Sequence, residues 1–256
     1  MLAIDSDLIS TRQVESVLVV YFKKNMLRQL AEISSKEALI EYLQKVSGSP
    51  DIKVVLFWGS PEKIRRAEAI RFFRELSQPG VDVNRISRIY HAVNQLVLTI
   101  QQMPKLAVHA DSGEIISPFM NVSLACDYRI IGDRTVFQYP TIELGLVPKG
   151  GGVFFLANKL GNTKTLELLL SGEDIHARQA LALGLVNKVV PSASLEAEAL
   201  ETARRFAQKP LRLISGVKRL LNFLSKDLPV FLDLENQILL EAIASERFLK
   251  RLDRRA

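Results

Sequence analysis

Several things are scarce or missing in this 256-residue chain, and each shortage narrows what it does. A single cysteine, Cys126, excludes an internal disulfide and fits a reducing, cytoplasmic location. It lies in the apolar run MNVSLACD, where a buried structural thiol is expected rather than a nucleophile. The three histidines, His91, His109 and His176, are far apart in sequence. No stretch of roughly 18 uncharged apolar residues occurs, so no transmembrane helix is expected. The opening MLAIDSDLIST has no basic segment leading into a long apolar run, so no secretory signal is expected either. G-x-S-x-G, Walker, H-E-x-x-H and CxxC motifs are all missing, which leaves no signal for a serine hydrolase, a P-loop nucleotide site or a metal site.

The formal charge of +6 is mild and scattered, with small clusters only at Arg65/Arg66 and at Lys250, Arg251, Arg254 and Arg255. These read first as solvated faces and second as a site for anionic phosphates. With no recognised nucleic-acid motif beside them, neither nucleic acid nor a membrane is an expected partner.

What is present is an alternation of strand and helix signals. VLVVYF reads as a buried strand. Ser34, followed three residues later by Glu37, reads as a capping box for a helix through LIEYLQKV. After the break GSPD comes a second buried strand, IKVVLFW (52–58). Over 84–102, Ile86, Ile89, Tyr90, Val93, Leu96, Val97 and Ile100 recur at amphipathic-helix spacing. Then follow strand KLAVHA (105–110), a short apolar helix near 118–126, and strands around DYRII and TVFQY. The turn KGGG (149–152) opens another helix, and backbone turning explains it better than nucleotide binding, because the G-x-G-x-x-G spacing is missing. The remaining C-terminal third is nearly all helical. Without linker or repeat, this pattern predicts an α/β core with a helical appendage.

From Lys105 to about Asn222 the chain resembles the crotonase (enoyl-CoA hydratase/isomerase) superfamily. The resemblance rests on SLACDYRI (123–130), FQYPTIELGLVPKGGG (137–152), LGNTKTLELLLSGEDIHARQALALGLVNKVVP (160–191) and KPLRLISGVKRLLN (209–222). These are similar, in order and spacing, to the family's E-L-A-L-A-C-D-x-R-I, F-x-x-P-E-x-x-L-G-L-x-P-G-x-G-G, A-x-x-A-L-x-x-G-L-V-x-x-V-V-P and K-x-P-x-A-x-x-x-x-K-x-x-x-N segments. The similarity weakens before residue 50 and after about 225. It implies an α/β fold, a crotonase-like spiral of ββα turns over residues 1–191, with a helical trimerisation region over 192–256. It also implies an acyl-CoA thioester as ligand, no cofactor beyond the coenzyme A of the substrate, and assembly as a homotrimer or hexamer. In the family, two backbone N–H groups hold the thioester oxygen while two glutamates manage water and a proton. Donors fixed beforehand need no reorganisation as charge appears, and each is worth about 3–4 kcal/mol.

Carried over residue by residue, the resemblance exposes departures. Counting back from Asp127 without gaps places the first family glutamate on Asn121 and the middle glycine of the second donor segment on Pro118. Proline has no N–H, so that donor is lost. Ser117-Pro118 reads instead as a helix start with serine as N-cap, and the Phe119 amide is the available substitute. Gly113 falls on the glycine of the same segment. The second family glutamate falls on Thr141. Asn and Thr hydrogen-bond, but neither cycles a proton near neutral pH. For the first donor segment, VVLFWGSPEKI (54–64) puts the amide at Ser60, with Pro61 opening the next helix. Two good helix caps are the plainer reading of both segments.

Other groups stand near these positions. If 139–143 is extended, Glu143 shares a face with Thr141, with a solvated or salt-bridged carboxylate as the alternative. Glu114, Asp111 and His109 lie on the approach from strand to helix. Tyr139 and Trp58 are candidates for an acyl pocket or for ordinary core packing. Three functional readings stay open: a lyase or isomerase on acyl-CoA with rearranged catalytic groups, a binding protein without turnover, and a structural subunit of an oligomer. Conventional two-glutamate hydration is expected to be absent or very slow.

Overall fold

Alternating burial on strands explains how the sheet is clothed on both faces. In the computed structural model, which describes residues 2–23, 33–60, 64–76, 83–243, 245 and 248, strands β1 (Ile9–Val14) and β2 (Val17–Phe22) form an antiparallel hairpin. The side chains of residues 33–35, 73, 76, 83–86 and 118 are outside that description. β2 then pairs in parallel with β3 (Val54–Trp58), β3 with β4 (Leu106–Asp111), β4 with β6 (Tyr128–Gly132) and β6 with β9 (Lys188–Val190). Along β2, Leu18 and Val20 enter the larger core, whereas Val17 and Val19 join Val54, Leu56, Val108, Ala110 and Ile130 on the opposite face. The helix Leu195–Ala207 covers that second face with Leu195, Ala199 and Ala203. Strands buried on both sides need apolar residues at nearly every position, which is why β2 and β3 read as continuous hydrophobic runs.

A second sheet orders β5 (Glu114–Ile116), β7 (Val136–Gln138) and β8 (Ile175–His176), with β5 parallel to β7. The chain passes from β4 in the large sheet to β5 in the small one and then into the helix Ser117–Leu124. It repeats the step through β6, β7 and the helix Pro140–Glu143. These stacked ββα turns are the spiral that the motifs imply.

The long helix Val83–Gln102 buries Ile89, Tyr90, Val93, Leu96, Val97 and Ile100, as its period predicts. It stops at Gln102 because Met103 precedes Pro104, and a residue before proline avoids the helical region. Two cap expectations need correction. The helix Ile33–Gly48 is already running at Ile33, so Ser34 lies within it and does not cap it. In Ser117–Leu124 the N-cap is Ile116, and no side chain caps that end. The Ser117 hydroxyl is drawn off to Thr141, 3.3 Å away. Pro61, expected to open a helix, lies outside the described residues.

Polar ties lock the C-terminal helices to the sheet. Lys218, on the helix Leu211–Phe223, donates to Asp127 Oδ2 at 2.7 Å and to the carbonyls of Ile100 and Lys105, each at 3.0 Å. Asp127 also accepts the Ala107 N–H at 2.7 Å. Arg129 donates through Nε to Leu185 O at 2.7 Å and through its guanidinium to Cys126 O at 2.5 Å. Among the described residues, no helix is long and apolar enough to cross a membrane.

Candidate functional site

A cleft opens at the C-terminal ends of β2, β3 and β4, where parallel sheets usually present ligand sites. Its interior is small, about 40 Å³, and the rest of its space is open to solvent. Its apolar lining comes from Phe22, Phe57, Ile100, Ile115 and Val122. Phe57 of β3 is the register partner of His109 on β4, and both side chains line the cleft. Two residues further along each strand, on the same face, stand Gly59 and Asp111. A Cβ built on Gly59 would lie 2.1 Å from Asp111 Cγ, so glycine is what lets the carboxyl group lie against the neighbouring backbone. Asp111 and His109 are both buried, at 7% and 6% exposure, and one Asp111 oxygen accepts the Ser112 N–H at 2.7 Å. Glu114, exposed on β5, reaches the rim.

Ser60 and Phe119 both line this cleft, so the structure brings together the two segments assigned to the backbone donors. Ser60 donates its hydroxyl to the Lys23 carbonyl at 2.9 Å, which ties the end of β3 to the end of β2. Phe119 lies in the first turn of Ser117–Leu124, whose leading N–H groups have no partner within the helix. Pro118 occupies that same turn without an N–H to give. Gly113 sits in the β4–β5 turn at φ +86°, a conformation that favours glycine.

The positions of the two family glutamates do not line the cleft. Asn121 is fully buried and donates to Lys149 O at 2.8 Å, and a Cβ on Gly152 would meet its Nδ2 at 2.5 Å. Thr141, also buried, bonds Ser117. Both side chains hold the helix Ser117–Leu124 in place. The extended geometry considered for 139–143 is replaced by the helix Pro140–Glu143, because Pro140 is well placed to start one. Glu143 is correspondingly a partner of Arg66, which also holds Asp174, and that ion pair accounts for it. Tyr139 gives its hydroxyl to Met120 Sδ at 3.1 Å, and Trp58 packs against Tyr21 with ring centroids 6.4 Å apart. Neither aromatic is among the described residues of the cleft wall.

Cys126 contributes to the wall from Ser117–Leu124's C-terminal side. Burial, reinforced by the Asp127 charge, pushes its thiol up to about 12, so it stays protonated and inert at neutral pH. Behind the helix, Lys149 donates to Glu235 at 3.0 Å, and Glu235 accepts the N–H groups of Gly150 and Gly151 at 2.7 and 2.9 Å. Desolvation lowers the pKa of Lys149 and raises that of Glu235, while their pairing offsets both effects.

A spiral of ββα turns with a cleft lined by Ser60 and Phe119 is the arrangement that the motif resemblance implies. The sequence model of the enoyl-CoA hydratase/isomerase family matches residues 14–254, and the chain belongs to that family. Over 115 residues it is 33% identical to the trans-2-decenoyl-[acyl-carrier-protein] isomerase of Streptococcus mutans, a stretch covering 45% of this chain and 44% of that one. The chain therefore matches less than half the length of that curated relative. Among solved structures, the enoyl-CoA hydratase of Bacillus halodurans superposes with a TM-score of 0.83 at 21% identity, covering 97% of this chain and 100% of that one. An enoyl-CoA hydratase of Mycobacterium avium subsp. paratuberculosis does so with a TM-score of 0.78 at 20% identity, covering 98% and 99%. Identities this low speak for the fold.

Proposed function

We propose that this chain binds an acyl thioester, carried on coenzyme A or on acyl-carrier protein, in the cleft between Ser60 and Phe119, and that it does not hydrate it by the two-glutamate route. The observation that carries this reading is the division of labour at the site. Ser60, Phe119 and apolar side chains line the cleft, while Asn121 and Thr141 are spent on packing. The partial match to a relative named for an acyl-carrier-protein substrate supports a thioester ligand. No cofactor beyond the carrier is part of the proposal.

The second reading, a binding or structural member without turnover, draws on those same two side chains, which offer no proton near neutral pH. Self-association fits either one. Leu166, Leu170, Leu220, Phe223, Leu224 and Val230 are large apolar residues left exposed on the helical half of the chain, as expected of a face that meets further copies in a trimer or hexamer. Light scattering on the purified chain tests that assembly.

Thermal unfolding with and without a saturating medium-chain acyl-CoA, or the same acyl group on carrier protein, tests the thioester reading. Ligand at a hundred times its dissociation constant should add about 2.7 kcal/mol. No shift with either carrier would leave only the structural reading.

A further inference from the structure

We propose that the inner wall formed by Phe57 and Ile100 sets the length of acyl chain that the cleft encloses, and that this length is about four carbons, counted from the thioester carbonyl. The inference rests on the reading of the cleft as a thioester site and adds to it a substrate class and the residues that fix it.

The cleft has an open end and a closed one. Ser60, Ile64 and Glu114 are at least partly exposed, whereas Phe57 and Ile100 are 1% and 0% exposed. Each element carries the wall inward in steps. On the strand side, Gly59 follows β3 at the mouth, and Phe57 lies two residues, about 7 Å, further in on the same face. On the helix Ser117–Leu124, Phe119 is half-buried and Val122, three residues or about 4.5 Å along, is buried. Cys126 follows just past the end of that helix, and its protonated thiol counts as an apolar group. Ile100, near the end of Val83–Gln102, joins Phe57 in the inner lining.

This wall does not yield easily. The rings of Phe22 and Phe57 both line the cleft and lie nearly parallel, 13° apart in plane with centroids separated by 6.1 Å, so each holds the other in place. Phe57 and Ile100 also belong to the main core, and forcing them aside would overpack an interior that is already dense. The enclosed space is therefore the space a tail can use. A single water needs about 10–15 Å³ by the same measure, and a methylene group is close to water in size. The interior of about 40 Å³ then holds about three carbons beyond the thioester carbonyl, an acyl group of about four. Later carbons must turn back toward the mouth, where they stay in contact with water and gain little from burial.

The test titrates the full chain with saturated acyl groups of two to ten carbons, on coenzyme A and in parallel on carrier protein. Saturated chains read occupancy alone, and whichever carrier binds supplies the series. For the wild type, the dissociation constant should fall about fourfold for each carbon added from two to four, and stop falling beyond. Ile100→Ala and, separately, Phe57→Leu enlarge the interior, so in each the fall should continue for about one to three further carbons. Should one variant fail to fold, the other decides. A wild-type constant that keeps falling about fourfold per carbon to eight carbons overturns the limit. Folded variants that stop where the wild type stops overturn the assignment of the wall. Binding indifferent to length from two carbons upward overturns both and leaves the thioester reading standing. No binding at any length on either carrier overturns the thioester reading and this inference with it.

Discussion

The interior around Asp127 and the wall of the cleft are adjacent in sequence and opposite in character. Around Asp127, residues that carry the family resemblance are absorbed in structure. Lys218 bridges Asp127 and two carbonyls, Arg129 clasps Leu185 and Cys126, and Asn222 donates to Gln101 O at 2.6 Å. The cleft wall carries the ionisable residues Asp111 and His109, while the departures from the family pattern at Asn121 and Thr141 are packed away from it. Kinship is thus recorded mainly in the ties that hold helices to sheet. Chemistry has to be sought among the side chains that line the cleft.

Breaking the structural half of this comparison should have the largest effect. Lys218→Met leaves Asp127 and two carbonyls without their buried cation, and should cost about 3–5 kcal/mol, read as a lower denaturant midpoint. An unchanged midpoint would show that the tie is incidental. Next comes restoration of the family pattern. Asn121→Glu drives a longer side chain toward Gly152, where the present one already fits closely, so overpacking alone should cost about 1–3 kcal/mol. It should confer no hydratase activity, and a gain of hydration would mean that position 121 reaches the substrate after all.

Cys126 offers a pH-dependent check on the same wall. Its folded value, about 12, lies above the unfolded value of about 8.5, so its contribution to stability is complete below the latter and fades as pH rises through the former. Alkylation of the native protein at neutral pH should therefore be much slower than that of the unfolded chain, and rapid labelling would contradict the burial. The smallest effect belongs to Glu143. Its pairing with Arg66 is partly buried, with Arg66 35% and Glu143 16% exposed, so Glu143→Gln should cost about 1 kcal/mol and leave thioester binding intact.

Much of the scaffold was legible in the residues. The runs of β2 and β3, the period of Val83–Gln102 and the motifs around Asp127 report burial, and burial follows hydrophobic pattern closely. β1 escaped because it is an edge strand with mostly solvated side chains, and β5 and β8 because strands of two or three residues carry no period. Ser34 and Ser117 misled because a good capping residue is also tolerated inside a helix once tertiary contacts set its start. At the site, the placement of VVLFWGSPEKI and gap-free counting from Asp127 pointed to Ser60 and Phe119, and both line the cleft. The family motifs gave roles to Asn121 and Thr141 by descent, and an extended 139–143 would have given one to Glu143, whereas packing and an ion pair occupy those side chains. The sign of Asp111 and His109 was present in KLAVHAD, where polar residues alternate with Val108 and Ala110. Sequence spacing could not tell that this polar face borders a cavity.

Hydration of crotonyl-CoA by the wild-type chain tests most directly whether the family's two-glutamate chemistry has left this molecule. With Asn121 and Thr141 locked into packing, turnover should fall far below ordinary enzyme rates of about 1–1,000 per second. Turnover within that range would contradict the account, because it would require a water-activating pair that the cleft, as described, does not assign to those positions.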